Sequence, residues 1–504
     1  MDPATLLETA ARRHGARPAA FCDGAAATWV DLARLADRIG TRFERAGARP
    51  GERVAALLPN CHRYLATYFA ALTRGLVLVP LNARLAPREI GSVLARSGAV
   101  AVAGVPAMLA AAGLPPGPEE DGVAIAPGPA PDPTRAGDGA ALLYFTSGST
   151  GNPKGVILTR NNLAAHAEMT LEELRFTAAD VWLHAAPMFH LADAWAIFTA
   201  TAAGAAHVFL PRWDAAAAVD RMRRHAVTLT NLVPTMIPAF LDAAAAGGRP
   251  PLRLLLSGGA PIARALVRRI ETELGGVYAQ TYGLTETSPF LTFSLLDARH
   301  ADLPEAERAR LRARTGRAAT GVRLRVATPP GAAAFADVPA DDRTVGEVLV
   351  QGATVTPGYW RDDEATREAF RGGWFHTGDL GVIDRHGFLD LCDRIKDAIV
   401  TGGETVYSIE VEQALLEHAA VREAAVYGAP DDAWGESVRA AVVLAPGARA
   451  TAGELIALCR TRIAAFKCPR AIDLLDALPR TGSGKIDKRA LREPHWAGRA
   501  RRIN

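Results

Sequence analysis

One run of residues constrains this chain more than any other: Tyr144-Phe145-Thr146-Ser147-Gly148-Ser149-Thr150-Gly151-Asn152-Pro153-Lys154-Gly155. It follows directly on an apolar stretch, residues 140–145, that reads as a buried strand. Glycines at this density let backbone N–H groups turn into one concavity, hydroxyls add donors, and Lys154 adds positive charge. That combination suits a polyphosphate. A plain Ser/Gly loop is the alternative, but such linkers seldom leave a buried strand and end in Pro-Lys-Gly. A Walker loop fails on spacing, since GxxxxGK[ST] puts a hydroxyl residue after the lysine and here Gly155 follows Lys154.

The surrounding sequence alternates apolar runs of strand length with helical stretches: residues 54–58 then 64–72, and 77–80 then 87–97. This rhythm predicts α/β layers with parallel sheets. Residues 115–138, rich in Pro, Gly and Asp, read as a surface connection leading into the strand at 140–145. Residues 297–314 read as an exposed helical insertion, and 329–342 as a loop before a strand at 346–350. A chain of 504 residues exceeds what one core usually organises. After Leu391 the pattern changes to strands at 398–401, 424–427 and 438–444 with helices at 409–417 and 452–465, a small α+β unit. The expected division is a domain at 1–392, a hinge at 393–397 and a second domain at 398–504, leaving a cleft between the two.

Several function classes are disfavoured. Lys and Arg number 57 against 54 Asp and Glu, a net charge of +3, with no basic block to suggest a nucleic-acid or membrane surface. The apolar stretches 65–81 and 189–210 are interrupted by Arg74 and Asp193 and read as core, not as membrane spans. The first twenty residues lack a secretory pattern, so a cytoplasmic address is expected. Five cysteines without a CxxC pair fit reduced thiols and no structural zinc.

Beyond the glycine-rich run, the chain carries Pro187-Met188-Phe189-His190, Ser257-Gly258-Gly259-Ala260-Pro261, Tyr282-Gly283-Leu284-Thr285-Glu286-Thr287, Gly358-Tyr359-Trp360, Trp374-Phe375-His376-Thr377-Gly378-Asp379, Asp393-Arg394-Ile395-Lys396-Asp397, Gly402-Gly403-Glu404 and Pro479-Arg480-Thr481-Gly482-Ser483-Gly484-Lys485. In this order, and across nearly the whole chain, it resembles the adenylate-forming superfamily of acyl-CoA synthetases, non-ribosomal adenylation domains and beetle luciferases. The resemblance implies an α/β fold: a large N-terminal domain of layered β/α subdomains with a small β-barrel-like subdomain, plus a small mobile α+β C-terminal domain. It also implies an ATP-dependent ligase that converts a carboxylic acid to an acyl-adenylate and pyrophosphate, then passes the acyl group to the thiol of coenzyme A. ATP, Mg²⁺ and coenzyme A are the expected cofactors.

Roles follow by the same resemblance. Thr146, Ser147, Gly148, Ser149, Thr150, Gly151 and Lys154 would hold the phosphates, with Gly259, Ala260, Pro261, Tyr282 and Gly283 around the nucleotide and Tyr282 stacked on adenine. Thr285 would bond the α-phosphate. Glu286, with Thr146, would bind Mg²⁺, which demands hard oxygen ligands. Asp379, read in a turn at 376–381, would accept the ribose hydroxyls, and Arg394 would also reach the nucleotide. Lys485, on the loop of Gly482, Ser483 and Gly484, would stabilise charge building between carboxylate and α-phosphate. Lys396 would be the hinge on which the small domain rotates to present Gly402, Gly403 and Glu404 to the pantetheine arm. The alternatives are ordinary ones: surface carboxylates for Glu286 and Asp379, a salt bridge to a neighbouring aspartate for Arg394, a solvated tail lysine for Lys485, a plain β-turn for Gly402-Gly403. Asp393 stands where the family usually has glycine.

Amino-acid-activating relatives carry an aspartate where this chain has His190, which disfavours an amino acid, although Asp193 lies close by. His190 either gates the acyl tunnel, orients the carboxylate or is a core residue. Trp195, Phe198, Met236, Gly258, Gly259, Ala260 and Phe290 form an apolar candidate lining. The acid expected is a medium- or long-chain fatty acid, with aryl or short thioether-bearing acids as alternatives. Two rival functions stay open: a stand-alone enzyme loading a carrier protein, and a non-enzymatic nucleotide-binding regulator. The expected partners are a small-molecule carboxylic acid and coenzyme A or a carrier protein, with a homodimer allowed and no nucleic acid or integral membrane segment.

Overall fold

The strands Arg53–Leu57, Val77–Pro80 and Ala101–Gly104 are buried along their whole length, the pattern of a parallel sheet covered on both faces. In the computed structural model, which describes every residue except 23, 133–136, 138, 147–152, 261, 263, 329–334, 482–484 and 499–504, these strands do pair in parallel. Helix α1 (His62–Thr73) buries Tyr64, Leu65, Tyr68, Phe69 and Leu72 in the adjoining core. The seven-stranded sheet ends in an antiparallel hairpin, β1 (Ala140–Thr146) and β2 (Lys154–Thr159), with Thr146 opposite Lys154. The glycine-rich run therefore connects two paired strands at their ends.

Residues 115–138 depart from the expected surface connection. Val123–Pro127 is a strand paired antiparallel to Ala101–Gly104, and Val123, Ala124 and Ala126 are fully buried. Its burial comes from a partner strand, which local Pro/Gly content does not reveal.

The second sheet has thirteen strands. Its parallel part joins Ala206–Phe209, Val181–His184, Leu229–Asn231, β3 (Leu254–Gly258) and β4 (Val277–Gly283). Helices α2 (Arg160–Leu174) and α3 (Leu191–Ala203) send Met169, Leu174, Trp195, Ala196 and Ala200 into a core shared with Leu254, Leu256 and Ala279. From β4 onward the same sheet turns antiparallel through β5 (Phe290–Phe293), Gly316–Ala318, and the paired strands β6 (Phe375–Ile383) and β7 (Phe388–Arg394), ending on Gly346–Gln351 and Arg323–Ala327. The antiparallel unit is thus continuous with the second sheet.

The smaller C-terminal domain is a five-stranded sheet built on the long hairpin Val421–Asp431 and Gly435–Leu444, with helices α4 (Ser408–Leu416), Ala452–Arg462 and α5 (Lys488–Trp496). Among the described residues no helix is long and apolar enough to cross a membrane.

Candidate active site

The site grows from the ends of β3 and β4. Side chains alternate along a strand, so Leu254, Leu256 and Gly258 share a face. Gly258 lies opposite Thr281, and a Cβ there would stand 2.3 Å from Thr281 Oγ1, so only glycine fits. At Gly259 the backbone takes φ +81°, and the Cε of Lys485 lies 4.0 Å from where a Cβ would be. A lysine of the C-terminal domain thus reaches the end of a strand of the N-terminal domain. Its ammonium has a lowered pKa, through desolvation first and then the charge of Arg394, with Asp379 and Glu286 pulling the other way.

Asp379 sits inside β6, not in the turn expected at 376–381. Gly378, at φ +70°, puckers the strand where its pairing with Gly346–Gln351 shifts register, and this local bulge is what a turn-like Thr-Gly-Asp sequence produces here. Asp379 is 4% exposed; Oδ2 accepts the Tyr282 hydroxyl at 2.8 Å and Oδ1 accepts Arg394 Nε–H at 3.1 Å. Burial, then the charge of Asp379, pushes the Tyr282 phenol upward, and Asp379 is the chief cause of a raised Arg394 pKa. The partner of Arg394 is therefore the residue across the sheet, not a neighbour in sequence. Beyond Arg394 the chain turns tightly: Asp397 N–H and Ala398 N–H both donate to Arg394 O, and Lys396 lies in that turn with its pKa lowered by desolvation and by Arg394. Asp393 points the other way. Its carboxylate accepts the N–H and hydroxyl of Ser408 at the start of α4, at 2.5 and 3.0 Å, beside Lys488. That accounts for an acidic residue where glycine was expected.

Glu286 lies in the single 3₁₀ turn Thr285–Thr287 between β4 and β5, and its backbone carbonyl accepts Thr356 N–H at 2.7 Å. Its Oε1 accepts the hydroxyl of Tyr359 at 3.0 Å, and burial raises the carboxyl pKa. The ring of Tyr359 carries Lys154 Nζ at 5.2 Å from its centroid. The segment Gly358-Tyr359-Trp360 gains this position by pairing with β2: Ile157 N–H donates to Gly358 O and Trp360 N–H to Gly155 O. Thr146 Oγ1 contacts Lys154 O at 3.5 Å at the root of the same hairpin. No group of three or more His, Cys, Asp or Glu able to hold a metal occurs among the described residues. One buried carboxylate joined through Tyr359 to Lys154 fits Mg²⁺, which keeps few protein ligands and takes the rest from phosphate and water.

His190 caps the N-terminus of α3, its Nδ1 accepting Ala192 N–H at 3.1 Å, which leaves the proton of the neutral ring on Nε2. Burial, then the charges of Lys485 and Arg84, hold its pKa down to about 4. The approach to His190 is fixed from α1 and the loop before it: Asn60 Nδ2–H donates to His184 O and Ala186 O, Met188 N–H donates to Asn60 Oδ1, and the Tyr68 hydroxyl donates to Met188 O. Asp193 faces the core. It is fully buried with Oδ2 2.6 Å from His184 Nδ1, and so is turned away from any substrate ammonium.

Trp195 and Phe290 meet at 5.0 Å between ring centroids, with Trp182 4.9 Å from Trp195 and Phe293 5.2 Å from Phe290. These rings pack on Leu254, Leu256 and Ala279, the face on which Gly258 stands. Phe198 instead packs edge-on against Tyr68 and Phe69 of α1, and Met236 joins the separate core around Ile237 and Phe240.

Lys485, Gly259, Asp379, Arg394, Tyr282, Glu286 and His190 are thus brought together, with Lys154 and Thr285 at their edge. Ala260 is tied to this centre by Gln280 Nε2–H at 3.3 Å, and Gly283 ends β4 beside it. Ser147, Gly148, Ser149, Thr150, Gly151 and Pro261, and the glycine loop 482–484, lie outside the described residues. Gly402 and Gly403, at φ +60° and +85°, form the two-residue turn of a hairpin with Glu404 opposite Thr401, and Gly402 N–H donates to Trp434 O. Sequence reasoning left three residues without a role: Tyr359, whose motif was noted; Arg84, which no motif marked; and His166 on α2, whose ring lies against Trp195 and Phe290.

The α/β fold, with a lysine of the smaller C-terminal domain lying against Gly259 at the end of β3, is that of an adenylate-forming enzyme. Residues 7–360 match the family model described as AMP-binding enzyme and residues 410–485 match that of the AMP-binding enzyme C-terminal domain, and the chain belongs to this family. It is 39% identical to a feruloyl-CoA synthase of Amycolatopsis sp over 93% of this chain and 94% of the relative. It is 36% identical to a long-chain-fatty-acid–CoA ligase of Thermus thermophilus over 93% of this chain and 90% of that one. The fold superposes on o-succinylbenzoate CoA synthetase from Bacillus subtilis, solved with its acyl-adenylate intermediate, with a TM-score of 0.82, 28% identity and 97% coverage of both chains. The chain is an AMP-forming acid–thiol ligase of the class that uses ATP, Mg²⁺ and coenzyme A.

Proposed function

We propose that this ligase activates an aryl or arylalkenyl carboxylic acid and transfers it to coenzyme A. The observation that carries this reading is the ring floor under Gly258. Trp195 and Phe290 are 1% and 4% exposed and pack against further rings, so the face that continues from Gly258 is aromatic. A planar ring gains aromatic contacts there, each worth about 0.5–1.5 kcal/mol beyond burial. A long alkyl chain would instead have to displace closely packed rings. The name of the feruloyl-CoA synthase relative agrees with an aryl acid.

In this reading Asp379 accepts the ribose hydroxyls, exchanging its bonds to Tyr282 and Arg394, while Tyr282 lies against the adenine. Lys154 and the 146–151 loop bind phosphates with Thr285 at the α-phosphate. Glu286 and Thr146 would hold Mg²⁺, which supplies neutralisation of phosphate charge when bound. The substrate carboxylate attacks the α-phosphorus itself, so no protein nucleophile is required. His190, neutral with its N–H on Nε2, orients that carboxylate, and Lys485 faces the charge that builds as the bond forms. Rotation of residues 398–504 about a hinge at 393–397, centred on Lys396, would then withdraw Lys485 and bring Gly402, Gly403 and Glu404 beside the adenylate for attack by the thiol.

A fatty acid is the second reading, favoured by the identity to the Thermus ligase. The test is pyrophosphate release from ATP and Mg²⁺ across aryl, alkyl, short thioether and amino acids, each with and without coenzyme A. Sustained release on aryl acids only when coenzyme A is present supports the proposal. Sustained release on alkyl acids alone replaces it with the second reading, and a single burst that coenzyme A does not extend points to a carrier-protein acceptor.

A further inference from the structure

One imidazole is built into the aromatic floor. His166, on α2, is 2% exposed, and its Nε2 has no hydrogen-bond partner among the described residues. Its ring lies edge-on to Trp195 at 5.7 Å and tilted against Phe290 at 5.4 Å, so it touches both of the rings that close the face below Gly258. A buried nitrogen left unpaired costs about 1–3 kcal/mol, and a phenylalanine of similar shape at this position would avoid that cost. Neither the purely structural role of filling space nor contact with the neighbouring rings requires a nitrogen.

The chemistry of the group narrows what it could bind. Burial holds the imidazole near a pKa of about 3, so it is neutral and presents one N–H and one lone pair. Either tautomer can place donor or acceptor at Nε2, which matches a hydroxyl in both directions. A second carboxylate would be poorly served, because an ionised group buried among these rings would need a cation.

We propose that His166 Nε2 is the recognition point for a neutral hydroxyl at the far end of an aryl acid, which makes His166 a specificity-determining residue of the acyl pocket. The inference rests on the aryl-acid reading above.

The test compares kcat/KM for cinnamic acid and 4-hydroxycinnamic acid in the wild type, His166→Phe and His166→Gln. The wild type should favour the hydroxylated acid by about tenfold, the value of one net hydrogen bond. His166→Phe should abolish that preference, lowering kcat/KM for the hydroxylated acid about tenfold relative to the unsubstituted one, and His166→Gln, which keeps a donor and an acceptor, should retain more of it. A change in packing alone would slow both acids equally. Equal slowing, or an undiminished hydroxyl preference in His166→Phe, overturns the inference and leaves the aryl reading standing. Turnover of alkyl acids with none on either aryl acid overturns both together. Should the phenylalanine variant fail to fold, the same ratio is read in His166→Met, where loss of the hydroxyl preference supports the inference and its persistence overturns it.

Discussion

The hydroxyl of Tyr359 donates to Glu286 Oε1 at 3.0 Å, and the face of the same ring carries Lys154 Nζ at 5.2 Å. One side chain therefore positions both the carboxylate proposed for Mg²⁺ and the lysine proposed for phosphate. Tyr359→Phe keeps the cation–π contact and loses the hydrogen bond, so adenylation at limiting Mg²⁺ should fall about tenfold and recover at high Mg²⁺. Tyr359→Ala should fall further, by the additional ~0.5–2 kcal/mol of the cation–π contact. Mg²⁺ titration of pyrophosphate release reads this directly. A uniform loss at every Mg²⁺ concentration would contradict the positioning role.

Asp379 holds two donors, Tyr282 and Arg394, that would be released to the nucleotide or to water when ribose binds. Asp379→Asn keeps the shape and removes the charge. With charge-assisted hydrogen bonds worth about 1.5–3 kcal/mol each, the KM for ATP should rise about 10- to 100-fold while the KM for the acid hardly moves. Equal effects on both substrates would argue for a structural defect in the bulged strand β6.

Acid should weaken the fold through its buried imidazoles. His166 and His190 are held near about 3 and about 4, against ~6.5 for an unperturbed histidine. Between those values and 6.5 the unfolded chain binds protons that the folded chain does not, so stability is complete above about pH 6.5 and is lost as pH falls. Each such group contributes up to ~1.4 kcal/mol per pH unit in that window. Thermal unfolding followed from pH 8 to pH 4.5 should show the decline, with a shallower slope in His166→Phe. Parallel slopes in the two proteins would contradict a neutral, proton-excluding site at His166.

The hairpin turn at Gly402-Gly403 requires φ +60° and +85°, the primed geometry of a two-residue connection. Nothing lies within 4 Å of a Cβ placed on Gly403, so Gly403→Leu strains the turn without a clash. The expected result is adenylate formation within about twofold of wild type and coenzyme A ligation reduced by at least ~10² in rate, as a bulky side chain blocks a narrow thiol path. Single-turnover adenylate formation and steady-state thioester production separate the two. Normal ligation in this variant would remove the turn from the proposed path.

Much of the candidate site was legible because its residues sit in short motifs: Lys154, Gly258-Gly259, Thr285-Glu286, Asp379 and Lys485 all stand out in sequence, although Asp379 read as a turn residue and lies in β6. The strand β1 and the boundaries of α1 and α4 followed from apolar periodicity within a residue or two, whereas β2 and its pairing with β1 did not. What could not be read depends on distant partners. Val123–Pro127 is a strand only because Ala101–Gly104 pairs with it. Asp393 makes sense only once Ser408 is seen to donate to it. His166 looks like any helical histidine until α2 is folded against Trp195 and Phe290. Asp193 illustrates the converse: its place near His190 in sequence suggested a substrate contact, whereas the helix turns it onto His184 in the core.

Under the proposed function, the lysine lying over Gly259 serves the first half-reaction and not the second. In Lys485→Ala, pyrophosphate release in the presence of acid, ATP and Mg²⁺ should fall by at least ~10²–10³, while thioester formation from supplied acyl-adenylate and coenzyme A stays within about threefold of wild type. Equal loss of both half-reactions would contradict the account.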